Sequence, residues 1–201
     1  ESWIKDECIE NKHRGISSKI EMLLYYATNI IFKNKDAIGV RLEDLKAKPK
    51  ATIKALCNWM GIKEESSLYE MTAQGKKWWG DATCPKNMPP FGDMPKSKGL
   101  VLSRNDRFIL NTLFYPFKVK FGYTEEDPEQ FKKDLAEIRP MLDQMFDIEK
   151  EIISRIEEID EEQFMKSSGF LFGHTRMIER WQVLNEYHTY PNMLKPLKIN
   201  D

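Results

Sequence analysis

Apolar positions between residues 17 and 32 recur at three- and four-residue steps. Ile20, Leu23, Leu24, Ala27, Ile30 and Ile31 form one broad face, and Ser17 or Ser18 can cap its start. This predicts a helix running to about Phe32 and packing on a sheet. The period then shortens to two: Ile38, Val40 and Leu42 alternate, which predicts a strand over residues 37–42 that leaves its sheet at Glu43 and Asp44. A helix follows from Pro49, whose missing N–H is not needed in a first turn, with Ile53, Leu56, Cys57 and Met60 on one face. Gly61 is placed to end it, because glycine takes the left-handed conformation of a helix terminus at little cost. A second, short helix is expected around residues 64–72.

Periodicity then stops. Residues 75–102 carry four prolines, four glycines and the pair Trp78-Trp79, which predicts a long ordered loop. The tryptophans could anchor that loop or stack on a ligand. Ser103 followed by Asp106 resembles a capping box and opens a helix carrying Phe108, Ile109, Leu113, Phe117 and Phe121, with a bend at Pro116. From Pro128 to about residue 160, Phe131, Leu135, Ile138, Leu142, Met145, Phe146, Ile152, Ile156 and Ile159 mark amphipathic helix, kinked or divided at Pro140. A last helix is expected over residues 175–188, with Met177, Ile178, Trp181, Val183 and Leu184, and Pro191 and Pro196 loosen the tail. One strand is visible, and one strand cannot make a parallel sheet.

Composition narrows the class. The chain has 201 residues, 41% hydrophobic and 31% charged, which suits a globular protein and argues against wholesale disorder. No apolar run is long enough for a membrane span, and no secretory signal opens the sequence. Cys8, Cys57 and Cys84 are odd in number and lack C-x-x-C spacing, which supports neither a disulfide framework nor zinc and suggests a reducing, cytoplasmic setting. Cys57 belongs to its helix's apolar stripe and reads as core; Cys84 reads as a loop thiol. His13, His174 and His188 show no metal spacing, so no metal is expected. The net charge of -1 hides an asymmetry: residues 1–123 hold 21 Lys and Arg against 14 Asp and Glu, and the remainder 10 against 18. The first part suits an anionic ligand. Its lysines are too dispersed for a nucleic-acid interface.

The phrase from Val40 to Ile62, VRLEDLKAKPKATIKALCNWMGI, resembles the sulfotransferase family, in which a late strand ends in Glu-Asp, a Pro-containing turn and a helix closed by Gly. Lys98-Gly99 and the run from Ser103 to Tyr123, SRNDRFILNTLFYPFKVKFGY, resemble the family's closing basic loop and terminal helix. The resemblance implies an α/β fold: the C-terminal part of a P-loop-like three-layer sulfotransferase domain, mostly helical within this chain. Residues 1–123 would form the family-like half and residues 124–201 an acidic helical extension. The sequence contains no G-x-x-x-x-G-K-[ST] and no phosphosulfate loop of the family's type. The N-terminal half and the catalytic base are therefore expected upstream of Glu1 in a longer chain, or on a second chain.

By the same resemblance, the implied cofactor is 3′-phosphoadenosine 5′-phosphosulfate and the implied acceptor a small molecule or carbohydrate with an alcohol or amine. Lys98 and Gly99 would hold the 3′-phosphate, with Lys96 and Arg104 nearby, although Ser97 stands where the family has Arg, the better bidentate donor. Leu42 falls where many members place an adenine-packing Tyr, a contact that Trp78 could replace, and Thr72 lies near a second adenine-contact segment. Glu43 and Asp44 are adjacent and point apart, which suits turn and cap roles better than paired acid/base work. The competing expectation is a non-catalytic helical module that binds a protein, or a second copy, through its acidic tail. A nucleotide-kinase relative is a weaker third.

Overall fold

The computed structural model describes residues 22, 24, 25, 28, 36–78, 91, 92, 102–154 and 160–199. The chain divides into two compact units, residues 37–97 with 195–201 and residues 1–36 with 98–194. The described residues are mostly helical, with two two-stranded sheets.

In the smaller unit, strand β1 (Ile38–Gly39) is followed by helices α1 (Leu42–Ala47) and α2 (Pro49–Met60). The expected strand over residues 37–42 is therefore corrected to two residues, and Leu42 opens a helix instead of closing a strand. Glu43 and Asp44 occupy that helix's first turn, where carboxylates complement the N-terminal dipole, and Asp44 also pairs with Arg41 at 3.4 Å. The Asp44 carbonyl accepts from the Lys48 N–H and the Thr52 hydroxyl, tying the two helices together. Pro49 sits at the start of α2 and Gly61 ends it at φ 66°, as their chemistry requires.

The expected helix at 64–72 is also corrected. Residues Ser66–Tyr69 make a single 3-10 turn, and β2 (Thr72–Ala73) and β3 (Lys76–Lys77) form an antiparallel hairpin around Gln74 and Gly75, both at positive φ. The single-strand expectation fails because the tail contributes β4 (Lys195–Pro196), which pairs parallel to β1, with the Leu197 N–H donating to the Gly39 carbonyl at 2.8 Å. No two-residue strand has a readable period, and Pro196 masks this one further.

The larger unit is helical: α3 (Arg104–Leu113), α4 (Tyr115–Lys120), α5 (Pro128–Met141), α6 (Asp147–Ile153), α7 (Glu161–Met165) and α8 (Ser168–Tyr187). The predicted cap forms, Ser103 Oγ accepting from the Asp106 N–H at 3.0 Å. The anticipated bend at Pro116 is a break after Leu113, since the Pro ring would meet the carbonyl four residues back in a continuous helix. Pro140 stands one residue from the end of α5. Helix α8 begins earlier than the expected residue 175; Gly169 and Gly173 dilute its first turns in sequence, yet Gly173 is buried on the same face as Phe170 and Met177. The core joins Leu24, Ile109, Leu113, Phe131, Leu135, Ile138, Met177 and Leu184. The helix expected at 17–32 lies largely outside the described residues; Met22, Leu24, Tyr25 and Thr28 are helical.

Hydrogen bonds lock this core. Tyr190 donates its hydroxyl to the Leu113 carbonyl at 2.9 Å, and Trp181 donates its indole N–H to the Leu135 carbonyl at 2.8 Å. The N-terminus of α6 is capped from another helix: the buried carboxylate of Asp106 on α3 accepts from the N–H groups of Asp147 at 2.8 Å and Ile148 at 3.0 Å. Glu149, also buried, accepts from the Phe146 N–H. Two buried carboxylates are thus satisfied by backbone donors, which is what makes their burial affordable.

Candidate functional site

Lys96, Lys98 and Gly99, the expected phosphate-binding residues, lie outside the described residues, as do Cys8, His13, Trp79 and Cys84. Glu1, upstream of which the catalytic base is expected, lies outside them too, so the described residues place no base. The other expected contacts are placed. Leu42 is exposed at the first position of α1, and Thr72 is exposed on β2 opposite Lys77. Trp78 is half exposed just beyond β3, where its backbone N–H donates to the Met71 carbonyl at 2.9 Å. The hairpin thus carries Lys76, Lys77 and Trp78 in adjoining positions. Among the described residues of the long loop, the Gly92 N–H donates to the Lys46 carbonyl at 3.0 Å. Cys57 is buried on the apolar side of α2, in keeping with a core role.

Arg104 belongs to the larger unit, where it lines a cleft of about 470 Å³ between α3 and α5. From α3 come Arg104, Asn105 and Phe108; from α5 come Gln130, Asp134, Glu137 and Met141. The spacing explains the wall. Gln130, Asp134, Glu137 and Met141 are four, three and four residues apart, which puts them in one row along α5. The inward-facing Phe131, Leu135 and Ile138 hold that row in place by burying the adjacent side of the helix. Asp127 caps α5 by accepting from the Gln130 N–H at 3.0 Å, and α3 is capped by Ser103, so both walls begin at defined positions.

Inside the cleft, Gln130 Nε2 donates to Asp134 Oδ1 at 2.7 Å; Asn105 Nδ2 is turned to Asp147 Oδ2, outside the lining, at 3.3 Å. Arg104 and Glu137 make no ion pair with any described residue. The cleft therefore presents one guanidinium against two carboxylates, beside Phe108 and Met141. That balance does not favour a multiply charged phosphate at Arg104, because Asp134 and Glu137 line the same cleft and repel an anion. The four-three-four row on α5 is a readable signal in the sequence. Its opposite wall is not, since nothing in the sequence says that α3 lies against it.

Among the described residues there is no group of His, Cys, Asp and Glu arranged to hold a metal ion, and no helix is long and apolar enough to cross a membrane. His174 stacks on Phe170 with ring centroids 5.4 Å apart, and burial holds its imidazole below the usual pKa; Asp143 opposes that shift and Arg139 adds to it. No family model matches the chain, and no match was found among curated proteins or solved structures.

Proposed function

We propose that the chain is part of a sulfotransferase that moves a sulfuryl group from 3′-phosphoadenosine 5′-phosphosulfate to an alcohol or amine on a small molecule or carbohydrate. Its sheet would belong to a P-loop-like three-layer domain whose phosphosulfate loop and base lie outside these residues. The reading is carried by the strand-to-helix phrase: β1, the acidic first turn of α1, Pro49 opening α2 and Gly61 closing it in the left-handed conformation. The parallel pairing of β1 with β4 is compatible with it, since parallel strands belong to layered α/β sheets.

In this reading the residues here bind the nucleotide and do not act on the sulfuryl group. Lys98 and the Gly99 N–H would hold the 3′-phosphate. Sulfuryl transfer, like phosphoryl transfer, depends chiefly on positioning and on cations that offset charge at the bridging oxygen. Calorimetric titration with 3′-phosphoadenosine 5′-phosphate tests the proposal. Lys98→Ala is expected to weaken binding about tenfold, the loss of one charge-assisted contact. Unchanged affinity would remove Lys98 from the site, and absence of binding by the unaltered chain at millimolar nucleotide would remove the nucleotide reading.

A further inference from the structure

We propose that the cleft between α3 and α5 binds a small zwitterion with an apolar body, its amine held by Asp134 and Glu137 and its anionic end by Arg104. The inference does not rest on the sulfotransferase reading, because every residue it uses lies in the larger unit. Three observations carry it. The volume, about 470 Å³, lies within the range of small-molecule sites and is modest for a peptide groove. Two lining residues are apolar and adaptable: Phe108 offers aromatic surface and Met141 a flexible thioether, and both are partly buried against the core cluster.

Charge placement supplies the third. Asp134 and Glu137, one turn apart on the same row of α5, can share one ammonium group, and the Gln130 amide fixes Asp134 by bonding to one of its oxygens. Arg104 comes from the opposite wall, next to Asn105, whose amide bonds to Asp147. A simple cation would leave Arg104 unmatched, and a simple anion would face two carboxylates. Only a ligand with both signs matches both walls.

Three probes that share one aromatic body separate these cases: phenylalanine carries both charges, phenethylamine only the cation, and hydrocinnamate only the anion. Nuclear magnetic resonance titration of the full chain, followed at the signals of Phe108 and Met141, should give tightest binding for phenylalanine, weaker binding for phenethylamine and none for hydrocinnamate. Glu137→Gln combined with Asp134→Asn should weaken phenylalanine about tenfold, and Arg104→Gln should bring phenylalanine down to the level of phenethylamine. All three substitutions fall on exposed or half-exposed helix positions, so circular dichroism should be unchanged. Equal affinity for the three probes, preference for hydrocinnamate, or no shift at the cleft signals with any probe at millimolar concentration would overturn the proposal.

Discussion

The two compact units spend their apolar residues differently. In the larger unit, α3, α5, α6 and α8 each turn a stripe inward, and Leu113, Ile138 and Leu184 are fully buried. In the smaller unit, among the described residues, the buried set is Thr52, Ile53 and Cys57 on one side of α2, while Leu42, Trp59, Met60, Ile62 and Trp78 remain between 44% and 53% exposed; the larger unit also leaves Leu171, Phe172 and Tyr187 exposed, but around a far larger buried cluster. Burial of apolar area is the main favourable term in folding. Among the described residues the larger unit accordingly holds the larger apolar core, and the smaller one adds a short parallel pair and a hairpin to the packing of α2. Low local stability is also where binding segments tend to be found.

The largest expected effect comes from cutting the better core. Leu113→Ala should destabilise the chain by about 3–5 kcal/mol, since it opens a cavity in a site with no exposure and loosens the segment whose carbonyl holds Tyr190. The matching cut in the smaller unit, Ile53→Ala, should cost less, about 2 kcal/mol, because half-exposed neighbours can close over the gap. Urea unfolding of both variants, with hydrogen exchange at the amides of α2 and α5, measures the contrast. Equal losses would erase the distinction between the units.

A smaller effect is expected where the larger unit uses polar burial. Asp106→Ala leaves the Asp147 and Ile148 N–H groups without their acceptor and should cost about 1–3 kcal/mol, seen as lost protection of the α6 amides while α2 is unchanged. The smallest effect concerns acidity. His174 has its pKa lowered by burial, so the unfolded chain binds the proton more tightly than the folded one. Its contribution is fully present above the unfolded value, about 6.5, and is lost as pH falls through the depressed folded value. His174→Gln should therefore flatten the loss of stability just below neutral pH; an unchanged slope in a pH series of thermal melts would assign that loss to other groups.

Recognition of α2, α3 and α5 from sequence rests on signals that act within a few residues. Pro49 and Gly61 bracket one helix, Ser103 caps the next, and the four-three-four steps of Phe131, Leu135, Ile138 and Leu142 draw the stripe of the third. The strand expected at 37–42 fails for the same local reason: Ile38, Val40 and Leu42 alternate, but Leu42 is followed by residues that serve a helix N-terminus, and the helix prevails. The hairpin at 72–77 rests on Gln74 taking a positive φ, which its residue type does not advertise.

Local chemistry within the chain thus determined where α2, α3 and α5 start, which of their faces are apolar, and the absence of a phosphate-loop motif, because capping, periodicity and motif spacing are all properties of neighbouring residues. Tertiary structure alone decided that residues 195–196 pair with residues 38–39, that Asp106 caps a helix some forty residues away, and that Arg104 faces Asp134 and Glu137 across a cleft. Those are contacts between distant segments. They depend on how amphipathic faces are matched when the core closes, and no single stretch of sequence contains that information.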